Sequence, residues 1–102
     1  MALGELQQMT MLAVARLGAE AYGAAIREEL ATVAGRTVSV PTVYVTLVRL
    51  EEHGLVESSE KATEHARGGR ARRVFRMTEA GWAALQESRT AFARMWKGVV
   101  RR

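Results

Sequence analysis

SVPTVYVTLVRLEEHGL, from Ser39 to Leu55, holds the start, the packing face and the stop of one short helix in a single run. Val43, Leu47 and Leu50 recur at i, i+4 and i+7, which places them on one face, while Thr42, Tyr44, Val45, Thr46 and Arg49 fall on the other flanks. Ser39 is a side-chain cap for the first turn, and Pro41 sits in that turn, where its missing amide has no intrahelical partner to lose. Gly54 supplies a left-handed residue after the last turn, and Leu55 folds back toward Leu50 in a Schellman arrangement, so the helix runs about 14 residues.

The start of this helix is unusual for a solvated surface. Acids favour the positive end of a helix dipole, yet Ser39, Thr42, Tyr44 and Thr46 are uncharged hydrogen-bonding groups. Backbone amides and hydroxyls in this position suit phosphates, and the side chains beside them suit base edges. An ordinary amphipathic core helix has the same pattern, so this segment alone leaves both readings open.

Outward from it, 102 residues give room for one core and not two, and 48% apolar with 25% charged residues are globular proportions. Cysteine is absent, which removes disulfides and thiolate chemistry and agrees with a reducing compartment. The apolar runs fall short of the roughly 20 residues a membrane span needs, and the N-terminus lacks a basic segment followed by an apolar one. A soluble cytoplasmic protein without a membrane partner is expected. The net charge of +4 suggests an acidic partner, nucleic acid first and a membrane surface second.

Before the opening stretch, Leu6, Met9, Leu12, Ala13 and Leu17 trace a helical stripe over residues 5–17, with Gly18 as its stop. Met11 and Val14 lie off that stripe, so the helix is apolar on more than one side and suits a second packing surface. Tyr22, Ile26, Leu30 and Val33 mark a second helix ending at Ala34 to Arg36. Two helices joined by a short Gly-containing turn, the second with exposed polar groups at its start, form a helix-turn-helix.

After Gly54 the period changes to two. Residues 55–58 begin a strand and Val74 to Met77 form another, with Phe75 and Met77 on one side and Val74 and Arg76 on the other. Between Lys61 and Arg76 lie six basic residues (Lys61, Arg67, Arg70, Arg72, Arg73, Arg76) against one acid, Glu64, a segment of +5 in a chain of +4. Gly68 and Gly69 let the tip bend close to a surface, and arginines there can bridge phosphates or enter a narrow minor groove.

PTVYVTLVRLEEHGLV, followed by GGRARRVFRMTEAG, resembles the PadR family of bacterial winged-helix transcriptional regulators, and the likeness runs from about Leu3 to Phe92. The recognition helix of that family reads as a small residue, Thr, a hydrophobic residue and Tyr, then Leu-x-Arg-Leu-Glu-x-x-Gly-Leu, and Tyr22-Gly23 matches its pattern as well. The resemblance implies a mainly α fold with a small β-hairpin (α+β): a winged helix-turn-helix over residues 1–78 and a C-terminal dimerisation helix over 79–102, joined as one structural unit. Two departures stand in the hairpin. Ala71 replaces a common proline, and Val74-Phe75 replaces two tyrosines, which loosens the wing and removes possible phosphate contacts.

Thr78 caps a last helix lined on one broad side by Trp82, Leu85, Ser88, Phe92, Met95, Trp96 and Val99, with Leu85, Phe92 and Val99 at the seven-residue spacing of a coiled-coil seam. At roughly 20 residues it outreaches so small a core, and its far half needs cover from elsewhere. A two-fold dimer through Leu6, Met9, Leu85, Phe92, Met95, Trp96 and Val99 supplies that cover and sets two reading helices about one DNA turn apart. Members of the resembled family pair in this way on near-palindromic operators. Some accept flat aromatic compounds between the subunits, for which Met9, Phe92 and Trp96 are the candidates here, although the same residues also serve as plain interface filling.

The expected DNA contacts are Ser39, Thr42, Tyr44, Thr46 and Arg49 on the helix, and Lys61, Arg70, Arg72 and Arg73 on the hairpin. Catalysis has no support: His53 and His65 lack metal-ligand spacing, the pairs Glu28-Glu29 and Glu51-Glu52 are adjacent rather than facing, and no phosphate-binding glycine loop follows a strand. No cofactor or metal is expected. His53, beside Gly54, suits the negative end of its helix. The competing class is a winged-helix protein-interaction module, since the same scaffold serves both uses. The related MarR architecture fits less well because it carries further helices on both sides of the winged core.

Overall fold

The computed structural model describes residues 2–62 and 71–101, so Arg70 and the Gly68-Gly69 tip lie outside the described residues. The elements run α1 (Glu5–Leu17), a 3-10 turn (Gly18–Glu20), α2 (Gly23–Ala34), α3 (Val40–Glu52), β1 (Val56–Ala62), β2 (Ala71–Met77) and α4 (Glu79–Trp96). Two helix stops share one device. Gly35 and Gly54 take φ of 65° and 71°, and the next residue donates backwards, Arg36 N–H to Leu30 O and Leu55 N–H to Leu50 O, each at 2.9 Å. Ser39 caps α3 as its sequence requires, its Oγ accepting the Thr42 amide at 3.2 Å.

α1, α2 and α3 enclose one core of Met11, Val14, Ile26, Leu30, Val43, Leu47 and Leu50, closed by Val56, Phe75 and Leu85. The face that α1 buries is Thr10, Met11, Ala13 and Val14, of which only Ala13 belongs to the expected stripe. Leu6, Met9 and Leu17 only skirt the core, and Leu12 is exposed. With apolar residues on two sides, period alone cannot choose between them; contact with α2, α3 and β2 makes the choice. Val33 is also exposed, because α2 has passed the end of the core by its last turn.

The hairpin pairs antiparallel from Val56↔Met77 to Ala62↔Ala71, so each strand is seven residues long. It extends well past the apolar residues that announced it, because a backbone ladder needs no apolar side chains to continue. A single bridge ties β2 to the segment before α2: Phe75 N–H donates to Ala21 O at 2.8 Å and Tyr22 pairs with Val74.

Thr78 caps α4 by accepting the Gly81 amide at 3.0 Å, and the same hydroxyl donates to Gly54 O at 2.6 Å while Thr78 N–H donates to Leu55 O at 3.2 Å. The root of α4 is thus bonded to the turn that ends α3. Leu85 is the last residue of α4 in the core, and from Ala91 to Arg101 every side chain is exposed. Projection of α4 stretches the chain to 60 × 26 × 20 Å, with a radius of gyration of 15.4 Å against about 13 Å for a compact chain of this size. The heptad stops short of Val99. Lys97 turns extended after Trp96 and Gly98 takes φ 80°, so Val99 lies off the helix.

Candidate nucleic-acid interface

Around α3 the buried positions Val43, Thr46, Leu47 and Leu50 define the inner face. Thr46, expected on the reading side, is only 8% exposed, and its Oγ1 donates to the Thr42 carbonyl at 2.8 Å. It lies one turn from both Val43 and Leu50, close enough to the apolar stripe to be drawn in, and the local carbonyl satisfies its hydroxyl. Tyr44 is 37% exposed, its ring set edge-on to Phe75 at 6.3 Å between centroids and pressed against Gly23, where an added Cβ would stand 2.5 Å from Cε2. Tyr44 is therefore a wedge between α2, α3 and the hairpin as much as a surface group. Thr42 and Arg49 are exposed, and Thr42 Oγ1 lies 2.9 Å from Ser39 Oγ at the cap.

Opposite the buried face stand Pro41, Val45, Val48 and Glu52, all exposed. Val45 and Val48 complete the outermost ridge of α3, a position that hydrogen-bonding capacity does not reveal because valines offer none. The signal was present: two β-branched residues on the side of the helix facing away from its own core. His53 caps the other end, its Nδ1 2.8 Å from Arg49 O.

On the hairpin the pleat sorts the charges. Glu57, Ser59 and Lys61 face the same way as Arg76, Val74 and Arg72, whereas Glu60 and Arg73 share the opposite face with Ser58 and Phe75. Arg72 and Arg73, adjacent in sequence, thus point to different sides. Arg76 is engaged by Glu57 at 2.5 Å. Elsewhere Arg16 pairs with Glu29 at 2.6 Å and Arg36 with Glu5, while Ser58 donates to Glu51 at 2.6 Å. Among the described residues no carboxylate pairs with Arg49, Lys61, Arg72 or Arg73. Arg72 instead lies over the Tyr22 ring, 4.2 Å from its centroid.

The residues expected at a subunit interface divide between the core and the projecting helix. Leu85 belongs to the chain's own core, Leu6 packs against that core, and Val99 has left the helix. Phe92, Met95 and Trp96 remain, 61%, 76% and 68% exposed on one side of α4, continued by Val99 and by Val100, which the periodicity did not single out. Met9 is half-buried and lines a groove of about 510 Å³ between α1 and α2 with Leu12, Leu30 and Val33. Neither Phe92 nor Trp96 lines that groove. Among the described residues no His, Cys, Asp or Glu cluster could hold a metal, and no helix is long and apolar enough to cross a membrane.

A helix-turn-helix made by α2 and α3, followed by a two-stranded hairpin that a single bridge ties to the residue before α2, is a winged helix-turn-helix. The chain belongs to the PadR-like family of transcriptional regulators, whose model matches residues 11–87. It is 43% identical over 81 residues to the transcriptional regulator Rv3488 of Mycobacterium tuberculosis, a match spanning 79% of this chain and 71% of that one. Its structure is similar to a PadR family transcriptional regulator from Eggerthella lenta, with a TM-score of 0.69 and 30% identity over 92% of this chain and 81% of that one. It is also similar to a PadR-like transcription factor from Bacteroides fragilis, with a TM-score of 0.71 and 25% identity over 88% and 82% of the two chains. The chain is accordingly a transcriptional regulator, a class that implies DNA binding.

Proposed function

We propose that this chain is a homodimeric repressor that binds a near-palindromic operator and releases it when a small aromatic compound enters between the subunits. The observation that carries the dimer is the unpartnered side of α4: Phe92, Met95 and Trp96 stand exposed on a helix that has already left its core. An aromatic side chain buries about 150–250 Å², so pairing two such helices withdraws a substantial apolar area from water. Residues 1–78 then act as the reading head and 79–102 as the pairing helix.

In this reading Ser39, Thr42 and Arg49 meet DNA from α3, with the Tyr44 hydroxyl at its edge, and Lys61, Arg70, Arg72 and Arg73 hold flanking phosphates. Val45 and Val48 suit thymine methyl groups, the apolar feature of the major groove. Phe92 and Trp96 line the effector position, with Met9 beside it only if the partner subunit brings them together.

A gel shift against the DNA upstream of the chain's own gene, at two salt concentrations, tests the reading, with sedimentation at the same protein concentrations. A dimer with strong preference for that DNA over a scrambled duplex is expected. A lone subunit, or binding with no preference, returns the chain to the competing role of a protein-interaction module.

A further inference from the structure

Tyr22 and Arg72 are 50 residues apart in sequence, yet the sheet sets them side by side. The bond from Phe75 N–H to Ala21 O flanks the Tyr22↔Val74 pair, so the two face each other across a non-hydrogen-bonded position, the closer of the two antiparallel kinds. Arg72, two residues along β2, shares that face and is the diagonal neighbour of Tyr22. Lys61 stands directly opposite Arg72 on β1 and faces the same way. Two cations at directly opposed positions repel, and among the described residues no carboxylate relieves either. A ring takes up one of the two, the Tyr22 face under the Arg72 guanidinium, and leaves the repulsion between the pair in place.

We propose that Tyr22 is a positioning residue for DNA backbone contact, holding Arg72 face-on so that its edge N–H groups and the Lys61 ammonium close together on one phosphate. This rests on the reading of the hairpin as a DNA contact. Stacking occupies only the face of the guanidinium and leaves its edge donors directed outward in their fixed fork. A side chain already held in one rotamer loses less freedom when the phosphate arrives, so the ring acts on affinity without touching DNA. The like-charged pair is the other half of the device, since a bound phosphate relieves its repulsion.

The test is fluorescence anisotropy of the full chain on a labelled duplex of mixed sequence over a salt series, with a thermal melt of each variant. Arg72→Ala weakens binding and lowers the slope of log affinity against log salt by about 1. Tyr22→Phe, which keeps the ring, leaves affinity unchanged, while Tyr22→Leu weakens it about two- to fivefold, the range of an exposed cation–π contact. In the Arg72→Ala background Tyr22→Leu has no further effect. Should Tyr22→Leu not fold, Tyr22→Trp takes its place: its stronger face tightens binding when Arg72 is present and does nothing when it is absent. Additive losses, Tyr22→Trp acting equally in both backgrounds, or Tyr22→Phe failing as Tyr22→Leu does, would overturn the positioning role. An unchanged salt slope in Arg72→Ala overturns the DNA contact of this face instead.

Discussion

Gly81 is the position where a single added methyl group tests the architecture most directly. It is the third residue of α4, and a Cβ built there overlaps the carbonyl oxygen of Leu55, with Met77 Cε at 3.0 Å on another flank. Two effects of opposite sign compete in Gly81→Ala. Alanine is the better helix former, which favours the variant by up to about 1 kcal/mol. Against this, the overlap is with backbone and not with the end of a flexible side chain, so α4 must move bodily. Overpacking of this kind costs about 1–3 kcal/mol. The movement also stretches the bonds from Thr78 N–H to Leu55 O and from Thr78 Oγ1 to Gly54 O, worth about 1 kcal/mol each where they are lost. The steric terms win, and a net loss of about 2 kcal/mol is expected.

Thermal unfolding followed by circular dichroism reads this loss as a fall of about 8–16 °C in Tm, at one fixed protein concentration because pairing would couple to stability. Ala83→Gly, an exposed helix-interior position, calibrates the propensity term and should lose no more than about 1 kcal/mol. A Tm for Gly81→Ala equal to or above that of the unaltered chain would mean that α4 is not seated on the α3 turn, and the reasoning would fail.

Three further outcomes follow from side-chain positions. Thr10 is fully buried in α1 with no hydrogen-bond partner for Oγ1 among the described residues, so the near-isosteric Thr10→Val should raise stability by about 1 kcal/mol in urea denaturation; a loss would reveal a partner for that hydroxyl. Thr42→Ala should weaken binding to upstream DNA, whereas Thr46→Val should leave it within about twofold, since Thr46 is buried and bonded to its own helix; equal losses in the two would restore Thr46 to the reading surface. Trp96→Glu places a charge on the exposed side of α4, and sedimentation should show single subunits with an unchanged circular dichroism spectrum if the helix pairs with its copy; an unaffected dimer would move the interface elsewhere.

Caps and stops were legible in the sequence because they are local chemistry. Ser39 and Thr78 each cap an amide three residues ahead, and Gly54 turns the chain directly after α3, so the cap and stop signals are read from neighbouring residues. The inner face of α3 was legible from Val43, Leu47 and Leu50, which recur at helical spacing on one side, while Val45 and Val48 stand on the other. α1 was not, because Leu6, Met9 and Leu12 compete with Met11 and Val14, and the winner is decided by elements far along the chain. Thr46 shows the same limit at the candidate site. A threonine can satisfy its hydroxyl on its own helix, so residue type does not reveal whether it faces water. The Tyr22 bridge to Val74 and its stack with Arg72 had no periodic signal, both being made by the approach of two segments far apart in the chain.

The junction at Leu55 also determines how the two ends of the molecule relate. Leu55 N–H donates into the last turn of α3 and its carbonyl accepts from Thr78, whose hydroxyl also donates to Gly54 O, so α3 and α4 are bonded through two adjacent residues. A lever of 18 residues is about 27 Å long, and a tilt of about 5° at its root carries the far end by about 2 Å. Under the proposed pairing the converse holds: the far ends are fixed by each other, so a tilt appears as a displacement of the two α3 helices. Sites on successive major grooves tolerate little change in that separation. A ligand seated among Phe92 and Trp96 therefore needs no contact with α3 to alter operator affinity, provided that it favours one α4 angle over another.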